Sequence, residues 1–327
     1  MNHAPKNWKA ARFPLVCLTA LLLLSGIGAA DVAEVCTRLS PAGSVCELNV
    51  THVRPTQFSV GMQAVRCKQA KIEKKSKKKL VKWLQKKKRR VPAVIGPDGR
   101  FYITDRHHMA TALYRAQPSL DKTWTADDKR LMLHIDYNLY AIDDTTRLTM
   151  DQFWDNMSGT RYPNAMNDGV QRVWLYDEKG MHPMDPYLLP DNLGEMLDDI
   201  YRTLSRWVRK TCGYLKAGDP QCAFVRTMGP PPLYLEFVWA NYLRQAVRFR
   251  TRPLPVCRAM PYSTLCLPDH AAALRRVYRS AMQAATSPRA KAFLEQNDFA
   301  PTTFGYNYSG KVLSLRKEYS GCPAFDD

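Results

Sequence analysis

The sequence contains no group of cysteines and histidines with the spacing of a zinc site. None of its nine cysteines forms a CxxC pair, and without closely spaced thiolate or imidazole ligands we predict no structural metal centre. After about residue 30 no segment is long and apolar enough to span a membrane, and no internal repeat is visible. These absences leave a globular chain whose one candidate membrane segment lies at the N-terminus.

The composition is that of a folded protein with an excess of positive charge. Hydrophobic residues make up 45% and charged residues 24% of the 327 positions, which is enough for one large domain or two smaller ones. The formal net charge is +18. Residues 68–90 contain thirteen Lys or Arg and one Glu, a local net charge of +12, so this basic run carries two-thirds of the excess.

The first 30 residues have the pattern of a secretory signal peptide. Three basic residues precede an apolar segment that extends from residue 13 to about residue 30. The small residues Gly28 and Ala30 predict cleavage after Ala30, which makes Asp31 the mature N-terminus. An uncleaved signal anchor is the alternative, because eighteen apolar residues can just span a bilayer. Both alternatives predict a protein of the secretory pathway, either secreted, lumenal or anchored at a surface.

Removal of the signal leaves eight cysteines, an even number that is typical of disulfides in a secreted protein. Three pairs are close in sequence, and each would close a loop of about ten residues and stabilise the fold by about 2.5 to 3 kcal/mol in the chain-entropy model. By elimination the last two cysteines pair with each other. The predicted pairs are Cys36 with Cys46, Cys212 with Cys222, Cys257 with Cys266, and Cys67 with Cys322. In the alternative, Cys67 is a free thiol whose pKa is lowered by Lys68.

Three Asn-X-Ser/Thr sequons agree with the secretory route and predict glycans. They begin at Asn49, Asn156 and Asn307. Such triplets also arise by chance, so each site taken singly is a weak prediction.

Residues 91–114, which read VPAVIGPDGRFYITDRHHMATALY, have the clearest structural pattern. β-Forming residues flank a Pro-Asp-Gly turn, so the segment predicts two strands joined by a tight turn. Four polar residues follow, and the small and apolar residues after them predict a short helix. Asp105, Arg106, His107 and His108 are therefore expected in a loop between a strand end and a helix start, where unpaired backbone N–H groups favour anions.

Two interpretations of this polar loop are open. In the functional one, one histidine polarises or deprotonates a reacting hydroxyl, while the other histidine and Arg106 neutralise phosphate charge. Histidine suits this role because its unperturbed pKa lies near neutrality. In the structural one, Asp105 caps the helix by accepting a backbone N–H, and His107 and His108 only form hydrogen bonds across the sheet.

Patterns elsewhere predict further strands and a helical second half. Apolar and polar residues alternate in one of the strand segments, which is typical of a half-buried strand. Strands are predicted over residues 131–139 and 173–176, and helices over residues 149–157, 197–208 and 233–243. In the first of these helices Phe153 and Trp154 are expected to face inward.

The segment VPAVIGPDGRFYITDRHH and the Ala-rich helix after it resemble the ParB-like nuclease family, a branch of the ParB and sulfiredoxin superfamily. Three other segments match in the same order: RPTQFSVGM at 54–62, LDDIYRTLS at 197–205 and EFVWANYLR at 236–244. The resemblance implies an α+β fold, a ParB/sulfiredoxin-like mixed sheet with flanking helices, followed by a mostly helical C-terminal half. The predicted organisation is a signal peptide (1–30), a linker (31–48), a ParB/sulfiredoxin-like domain (49–145) and a helical region packed on it (146–327).

The resemblance also implies chemistry on phosphate esters. Members of the superfamily bind or hydrolyse nucleotides, phosphorylate free serine or repair oxidised cysteine. The repair reaction is not expected, because residues 105–109 contain no cysteine. Thr56 and Gln57 occupy the place of the carboxylate base of the serine kinases, which argues against that reaction unless Asp198 or Asp199 supplies the acid.

What remains is a nuclease or a nucleotide-dependent phosphotransferase, with a nucleotide and Mg²⁺ as the candidate cofactors. The resemblance and the loop chemistry together nominate two groups of site residues. The candidate catalytic residues are Asp105, His107 and His108, and the candidate phosphate-binding residues are Arg106, Thr56 and Gln57.

The basic run supports a second hypothesis, a non-catalytic secreted binder of polyanions. Lys and Arg at this density release counterions from nucleic acid, and they also attract heparin-like glycans and anionic membranes. The candidate binding residues are Lys77, Lys78, Lys79, Lys82, Lys86, Lys87, Lys88, Arg89 and Arg90. In the structural alternative the run is a solvated helix, because Leu80, Val81 and Leu84 have the spacing of a helix face that docks on a core.

Overall fold

A computed structural model of the chain describes residues 34–119, 121–140, 145, 147–158, 173, 184–216, 222, 234–247, 270–297, 300–301, 306–307, 309 and 312. Within these residues the strands are β1 (Val45–Asn49), β2 (Val53–Pro55), β3 (Ser59–Val60), β4 (Val91–Ile95), β5 (Phe101–Ile103), β6 (Arg130–Asn138) and β7 (Leu197–Asp198). The α-helices are α1 (Met62–Glu73), α2 (Lys77–Leu84), α3 (His107–Arg115), α4 (Met150–Ser158), α5 (Ile200–Lys210), α6 (Leu235–Ala246), α7 (His270–Ala285) and α8 (Pro288–Gln296).

Five of the strands form a mixed sheet in the order β1-β6-β4-β5-β2. Strand β6 pairs antiparallel with β1 and parallel with β4, while β5 pairs antiparallel with β4 and parallel with β2. The hairpin between β4 and β5 turns at Gly99, whose φ of 76° suits a residue without a Cβ atom. The predicted α+β fold with a mixed sheet, and the two predicted strands of its hairpin, are confirmed.

Strand β6 shows the predicted alternating burial from Leu133 to Asp136, whereas Met132 is buried as well and Tyr137 is partly exposed. Leu131, Leu133 and Ile135 are fully buried, whereas His134 and Asp136 are partly exposed. The buried residues belong to an apolar core that also takes in side chains of α1, α2 and α3. These three helices therefore pack on the sheet as flanking helices, and the start of α3 is fixed at the end of β5.

The second half of the chain has its own apolar core among α5, α6, α7 and α8. The rings of Tyr214 and Trp239 stack in this core with their centroids 4.5 Å apart. Helices α5 and α6 confirm the predicted helices near residues 197–208 and 233–243. Helix α4 confirms the third, and its Phe153 and Trp154 pack inward against Tyr102.

A small parallel sheet joins the two halves of the chain, because β3 pairs with β7. Next to it, the Met62 N–H at the start of α1 donates a hydrogen bond to the Asp198 carboxylate at 2.8 Å. Gly61 lies so close to α5 that a Cβ atom there would be 2.5 Å from the Thr203 hydroxyl oxygen. Glycine at this position therefore permits the close contact between the start of α1 and α5.

Two of the predicted disulfides are present, Cys36 with Cys46 and Cys212 with Cys222. Cys67 is disulfide-bonded as well, so the free-thiol alternative is wrong. Its predicted partner Cys322 lies outside the described residues, as do Cys257 and Cys266.

The structure bears on the three sequons differently. Asn156 and Asn307 are only 2% and 1% exposed. Their Nδ2 groups donate to the carbonyls of Gln152 at 2.7 Å and Cys212 at 2.6 Å. A glycan on either nitrogen would have to displace these bonds, so the fold does not favour Asn156 or Asn307, and their glycans stay predictions. Asn49 is partly exposed, and its glycan stays a prediction.

Several predictions meet the limits of the described residues. The signal peptide lies outside them, and of the strand predicted over residues 173–176 only Val173 is described. Strand β1 begins at Val45, so the sheet includes residues that the sequence placed in a linker. In the described part of the chain no helix is both long and apolar enough to cross a bilayer.

The basic run folds as the end of α1, all of α2 and a 3-10 turn at Lys87–Arg89. Leu80 and Leu84 are buried, and the docking of α2 through this face is as the structural alternative predicted. The seven candidate lysines of the run are exposed. The run is therefore a docked helix whose opposite face presents a dense array of ammonium groups to solvent.

Replacing Leu80 with alanine tests how α2 is attached. Leu80 is fully buried, so Leu80→Ala should lower the free energy of unfolding by about 2 to 5 kcal/mol, the usual loss for a buried leucine. Urea denaturation measures this change. The matched control is Lys79→Ala on the exposed face, which should change stability by less than about 0.5 kcal/mol; equal losses in both variants would contradict the docking of α2.

Candidate functional site

His107 and His108 form the first turn of α3, not the loop that the sequence predicted. His107 is 4% exposed, and its Nε2 accepts a hydrogen bond from the Thr56 backbone N–H at 3.1 Å. The Nε2 of His108 accepts one from the Gly61 backbone N–H, also at 3.1 Å. These two hydrogen bonds therefore connect the segment that contains β2 and β3 to the start of α3.

Both histidines are neutral in the folded chain. Burial is the main cause that lowers the pKa of His107 to about 3, and the Arg202 guanidinium adds to the effect. Burial and Arg202 also hold the pKa of His108 well below its ordinary value. Since each Nε2 accepts a backbone N–H, the ring proton of each lies on Nδ1. Neither Nε2 can take a proton from a substrate without releasing Thr56 or Gly61, so the geometry favours a positioning role over general-base catalysis.

Arg106 precedes α3 in the left-handed backbone region, with a φ of 64°. This conformation costs a residue with a Cβ atom about 1 to 2 kcal/mol. The predicted capping role of Asp105 is wrong, because its Oδ1 accepts the N–H of Arg106 at 2.6 Å, and no side chain caps α3. The first backbone N–H groups of α3 therefore lack a capping side chain.

A cavity of about 680 Å³ lies where the starts of α3 and α6 meet α1 and α5. This volume is typical of a small-molecule site. Among the described residues its wall contains eight cationic and three anionic side chains, an excess of five positive charges when Lys68 is protonated. The cations are Lys68, Arg89, Arg106, Arg202, Arg206, Arg209, Lys210 and Lys216, and the anions are Asp105, Asp136 and Glu236. The cavity is therefore suited to an anionic ligand.

Helix α5 contributes three arginines from one of its faces. Arg202, Arg206 and Arg209 recur at spacings of four and three residues, which place side chains on the same side of a helix. Arg209 forms an ion pair with Glu236, and Arg206 Nη1 lies 3.6 Å from the same carboxylate. Burial opposes ionisation of Glu236, but Arg209 and Arg206 outweigh it and hold its pKa well below the ordinary value. Glu236 is thus a permanent anion that neutralises part of this face.

Glu236 and Asp199 also act on Arg202 through their charge, but among the described residues Arg202 has two donors without an acceptor. It is 3% exposed, and its guanidinium carbon lies 3.3 Å from the centroid of the Phe237 ring. Among the described residues no acceptor binds its Nε or Nη1. Buried donors without acceptors cost about 1 to 3 kcal/mol each, and more when the group is charged. An anion bound in the cavity would supply these acceptors.

Helix α6 also directs an uncapped N-terminus at the cavity. Tyr234 precedes it with a φ of 58°, and no side chain in the described part of the chain caps the helix. The first turn of α6 lines the wall, as does the first turn of α3. Free N–H groups and the helix dipole make each N-terminus an electropositive end. Two such ends and the unpaired donors of Arg202 therefore converge on one cavity.

A family model described as "Putative ParB-like nuclease" matches residues 46–245, which is more than half of the chain and includes all the described residues of the cavity wall. This chain belongs to the ParB-like nuclease family. The ParB-like chain is also similar to a solved structure, "Crystal structure of protein Atu1540 from Agrobacterium tumefaciens", with 21% identity and a TM-score of 0.49 over 76% of this chain and 94% of that chain. No curated protein matches it significantly.

Of the four other residues that the sequence suggested for the site, one lines the cavity and three do not. Gln57 lines it, whereas Thr56 is buried outside the wall, and its hydroxyl donates to the Ile103 carbonyl at 2.8 Å. Asp198 binds the start of α1, and Asp199 caps α5 and pairs with Arg244 at 2.7 Å. Neither aspartate reaches the cavity wall, so the suggestion that one of them supplies an acid there is wrong.

The arginines of α5, Tyr234 and Glu236 are site residues that the sequence did not predict. A signal for the arginines was present, because their four-and-three spacing is visible in the sequence. Nothing in the sequence indicated which face of α5 would meet α3, since that depends on the packing of α1 against α5.

Replacing His107 tests its positioning role. His107→Ala removes the acceptor of a buried N–H and leaves a void, so the free energy of unfolding should fall by about 2 to 4 kcal/mol. His107→Gln retains an oxygen that can accept a hydrogen bond and should lose less. Urea denaturation gives both values, with His52→Ala, at an exposed histidine, as control. A His107→Ala variant as stable as the parent would refute the positioning role.

The low pKa of His107 also predicts a pH dependence. Because the folded pKa is about 3 and the ordinary value is about 6.5, the unfolded chain binds this proton first. The stability that neutral His107 contributes is complete above about pH 6.5 and is lost as the pH falls toward 3. In a urea series from pH 7 to 4, the unfolding free energy of His107→Gln should decline less steeply than that of the parent. Parallel declines would argue against a buried neutral ring.

Proposed function

We propose that the cavity binds the phosphate group of an ester and that the chain cleaves the ester or transfers its phosphoryl group. The observation that carries this proposal is the convergence of two uncapped helix N-termini with the buried, unpaired donors of Arg202. Helix N-termini bind phosphate through their free N–H groups. Guanidinium groups match phosphate oxygens with two parallel hydrogen bonds.

Two more arginines support phosphate as the ligand. Arg89 and Arg106 line the cavity, and the Nε of each is buried without an acceptor in the described part of the chain. Phosphate offers three or more acceptor oxygens, so one group can satisfy donors from several directions. A carboxylate has two oxygens in one plane and would leave more of these donors unpaired.

The reaction class follows from what phosphoryl transfer needs. Most of its catalysis is charge neutralisation and alignment of the attacking and leaving oxygens. Arg106, Arg202 and the two N-termini would neutralise the phosphoryl oxygens. Asp105 is the exposed carboxylate at the cavity and is our candidate for the proton acceptor, while His107 and His108 hold the surrounding backbone in place.

We propose that Mg²⁺, if the reaction uses it, enters with the phosphates of a nucleotide. No cluster of three or more carboxylate, histidine or cysteine side chains suited to a metal occurs among the described residues. Magnesium commonly binds through one or two carboxylates together with substrate phosphates, and Asp105 could act in this way.

Nucleic acid is a substrate that agrees with both the family description and the charge of the surface. Arg89 belongs to the basic run and also lines the cavity, and its guanidinium stacks over Trp83 at 4.3 Å from the ring centroid. A polynucleotide that contacts the exposed lysines could therefore extend one of its phosphates into the cavity. The two disulfides agree with our proposal that the chain acts in an oxidising, secretory or extracellular compartment.

Arg202 provides the test. Arg202→Gln should weaken binding of inorganic phosphate at least tenfold, because a hydrogen bond to a charged group contributes about 1.5 to 3 kcal/mol. Calorimetry on the purified mature protein measures this, with nucleotides as second ligands, each with and without Mg²⁺. Arg202→Lys keeps the charge and serves as a second variant, while Arg130→Gln on the exposed surface is the matched control. Unchanged phosphate affinity in Arg202→Gln would overturn the proposal.

The alternative, a non-catalytic binder of polyanions, is favoured by the exposure of the lysines. Of the seven, Lys77 forms a salt bridge with Asp128 at 2.9 Å, and the others point into solvent from α2 and the turn after it. Sequence-independent binding of this kind would not need the cavity. It would also operate on heparin-like glycans or anionic membranes as well as on nucleic acid.

Salt dependence and charge reversal separate the two functions. Binding of DNA or heparin through the run should weaken by about three orders of magnitude between 50 and 200 mM salt, because several counterions are released. Charge reversal at Lys78, Lys79, Lys86, Lys87 and Lys88 should abolish it and leave phosphate binding in the cavity intact. Filter binding or affinity chromatography measures both. Equal affinity at the two salt concentrations would mean that the run is only a solvated face.

A further inference from the structure

Lys68 of α1 is a lysine that the proposed function does not use, although its side chain lines the cavity. It is partly buried, and among the described residues it forms no salt bridge or hydrogen bond. Glu236, a carboxylate whose charge acts on Lys68, already forms ion pairs with Arg209 and Arg206. The amine therefore faces the ligand space without a partner of opposite charge.

The groups around Lys68 favour its neutral form. Burial is the largest cause, and Arg206 from α5 and Arg89 from the turn after α2 follow, with a smaller contribution from Lys71; Glu236 acts in the opposite direction. His108 faces Lys68 from α3 and is neutral. Together these groups lower the pKa of Lys68 to about 7, so about half of the amine is unprotonated at neutral pH. An ordinary lysine is unprotonated in only about 1 of 2,500 molecules at pH 7.

We propose that Lys68 is a nucleophilic amine, which forms an imine with the aldehyde or ketone group of a phosphate ester bound in the cavity. The Nζ lone pair forms a bond to the carbonyl carbon, and the carbonyl oxygen takes up a proton to give a carbinolamine. Loss of water, with the second Nζ proton, then gives the neutral imine, so that amine and carbonyl become imine and water without an oxidant or reductant. Desolvated lysines next to other cations are activated for this chemistry.

The inference rests on the proposed function, because the phosphate-binding groups are what would hold the carbonyl near Lys68. Arg202 and the N-termini of α3 and α6 form the wall that faces the ligand, and Lys68 lines the same cavity from α1. A ligand with a phosphate at one end and a carbonyl a few bonds away could therefore engage both. The chemical class is an aldehyde or ketone that carries a phosphate ester.

Pyridoxal 5′-phosphate is a probe of this class, and the experiment uses the whole mature chain. The protein is incubated with the probe from pH 6 to 9, the imine is trapped with cyanoborohydride, which leaves disulfides intact, and labelled lysines are mapped by mass spectrometry. Labelling of Lys68 should reach half of its maximum near pH 7 and then level off. Lys71 lies exposed on the same helix and outside the described cavity wall, so it serves as the comparison lysine. At pH 7 Lys68 should be labelled at least fifty times faster than Lys71.

Three comparisons make the result specific. Pyridoxal without the phosphate should label Lys68 at least tenfold more slowly, and inorganic phosphate should slow labelling by the phosphate ester. Lys68→Arg should remove the labelled peptide, while Lys71→Arg should leave labelling of Lys68 unchanged. Mapping on the unmodified chain decides the question even if the Lys68 variant does not fold.

Two outcomes would overturn the inference. One is labelling of Lys68 that is no faster than labelling of Lys71. The other is equal labelling of Lys68 by pyridoxal with and without its phosphate. If calorimetry detects phosphate binding but Lys68 stays unlabelled, only this inference fails. If phosphate neither binds in calorimetry nor protects Lys68, the proposed function fails with it.

Discussion

The desolvated charge of Arg202 is the interaction on which the rest of the cavity depends. Its guanidinium lies against Phe237, where water has little access, and so its field acts on neighbouring groups with little screening. Burial already disfavours the charged form of both histidines, and Arg202 reinforces that effect. Their neutral Nε2 atoms remain acceptors and bind the backbone between β2 and α1. Arg202, whose unpaired donors face the cavity, thus also helps to keep both histidines neutral and so supports the hydrogen bonds that hold the surrounding backbone.

A second constraint is the placement of Glu236, the carboxylate among the arginines of the cavity wall. Glu236 is surrounded by arginines and neutralises Arg209 and part of Arg206. Without this carboxylate the like charges of α5 would repel one another in a poorly solvated space. With it, the donors of Arg202, Arg106 and Arg89 remain available on the ligand side. The wall is therefore electropositive but not uniformly so, and its unpaired donors define where an anion binds.

The sequence predicted much of the fold and less of the site. Alternation in β6 and turn chemistry before Gly99 are local signals, and the family resemblance supplied the order of the elements. The prediction failed where distant packing decides: His107 and His108 belong to a helix because their rings reach backbone N–H groups 51 and 47 residues away. The burial of Asn156 and Asn307 is likewise a tertiary property. The spacing of the arginines in α5 was readable, but the direction of that face was not.

Because β3 pairs with β7, the cavity can form only after both segments of the chain have been synthesised. Ser59 and Leu197 are partners in this sheet, and the cavity wall takes residues from Gln57 to Phe237. The chain between Ser59 and Leu197 forms a long loop. Its closure costs little more conformational entropy than closure of a shorter loop, because this cost grows only with the logarithm of loop length. A chain emerging from the ribosome, however, must be synthesised to Phe237 before both walls are present. The five-stranded sheet and its flanking helices are complete at Asn138, about a hundred residues earlier, so the scaffold can form during translation before the ligand site is assembled.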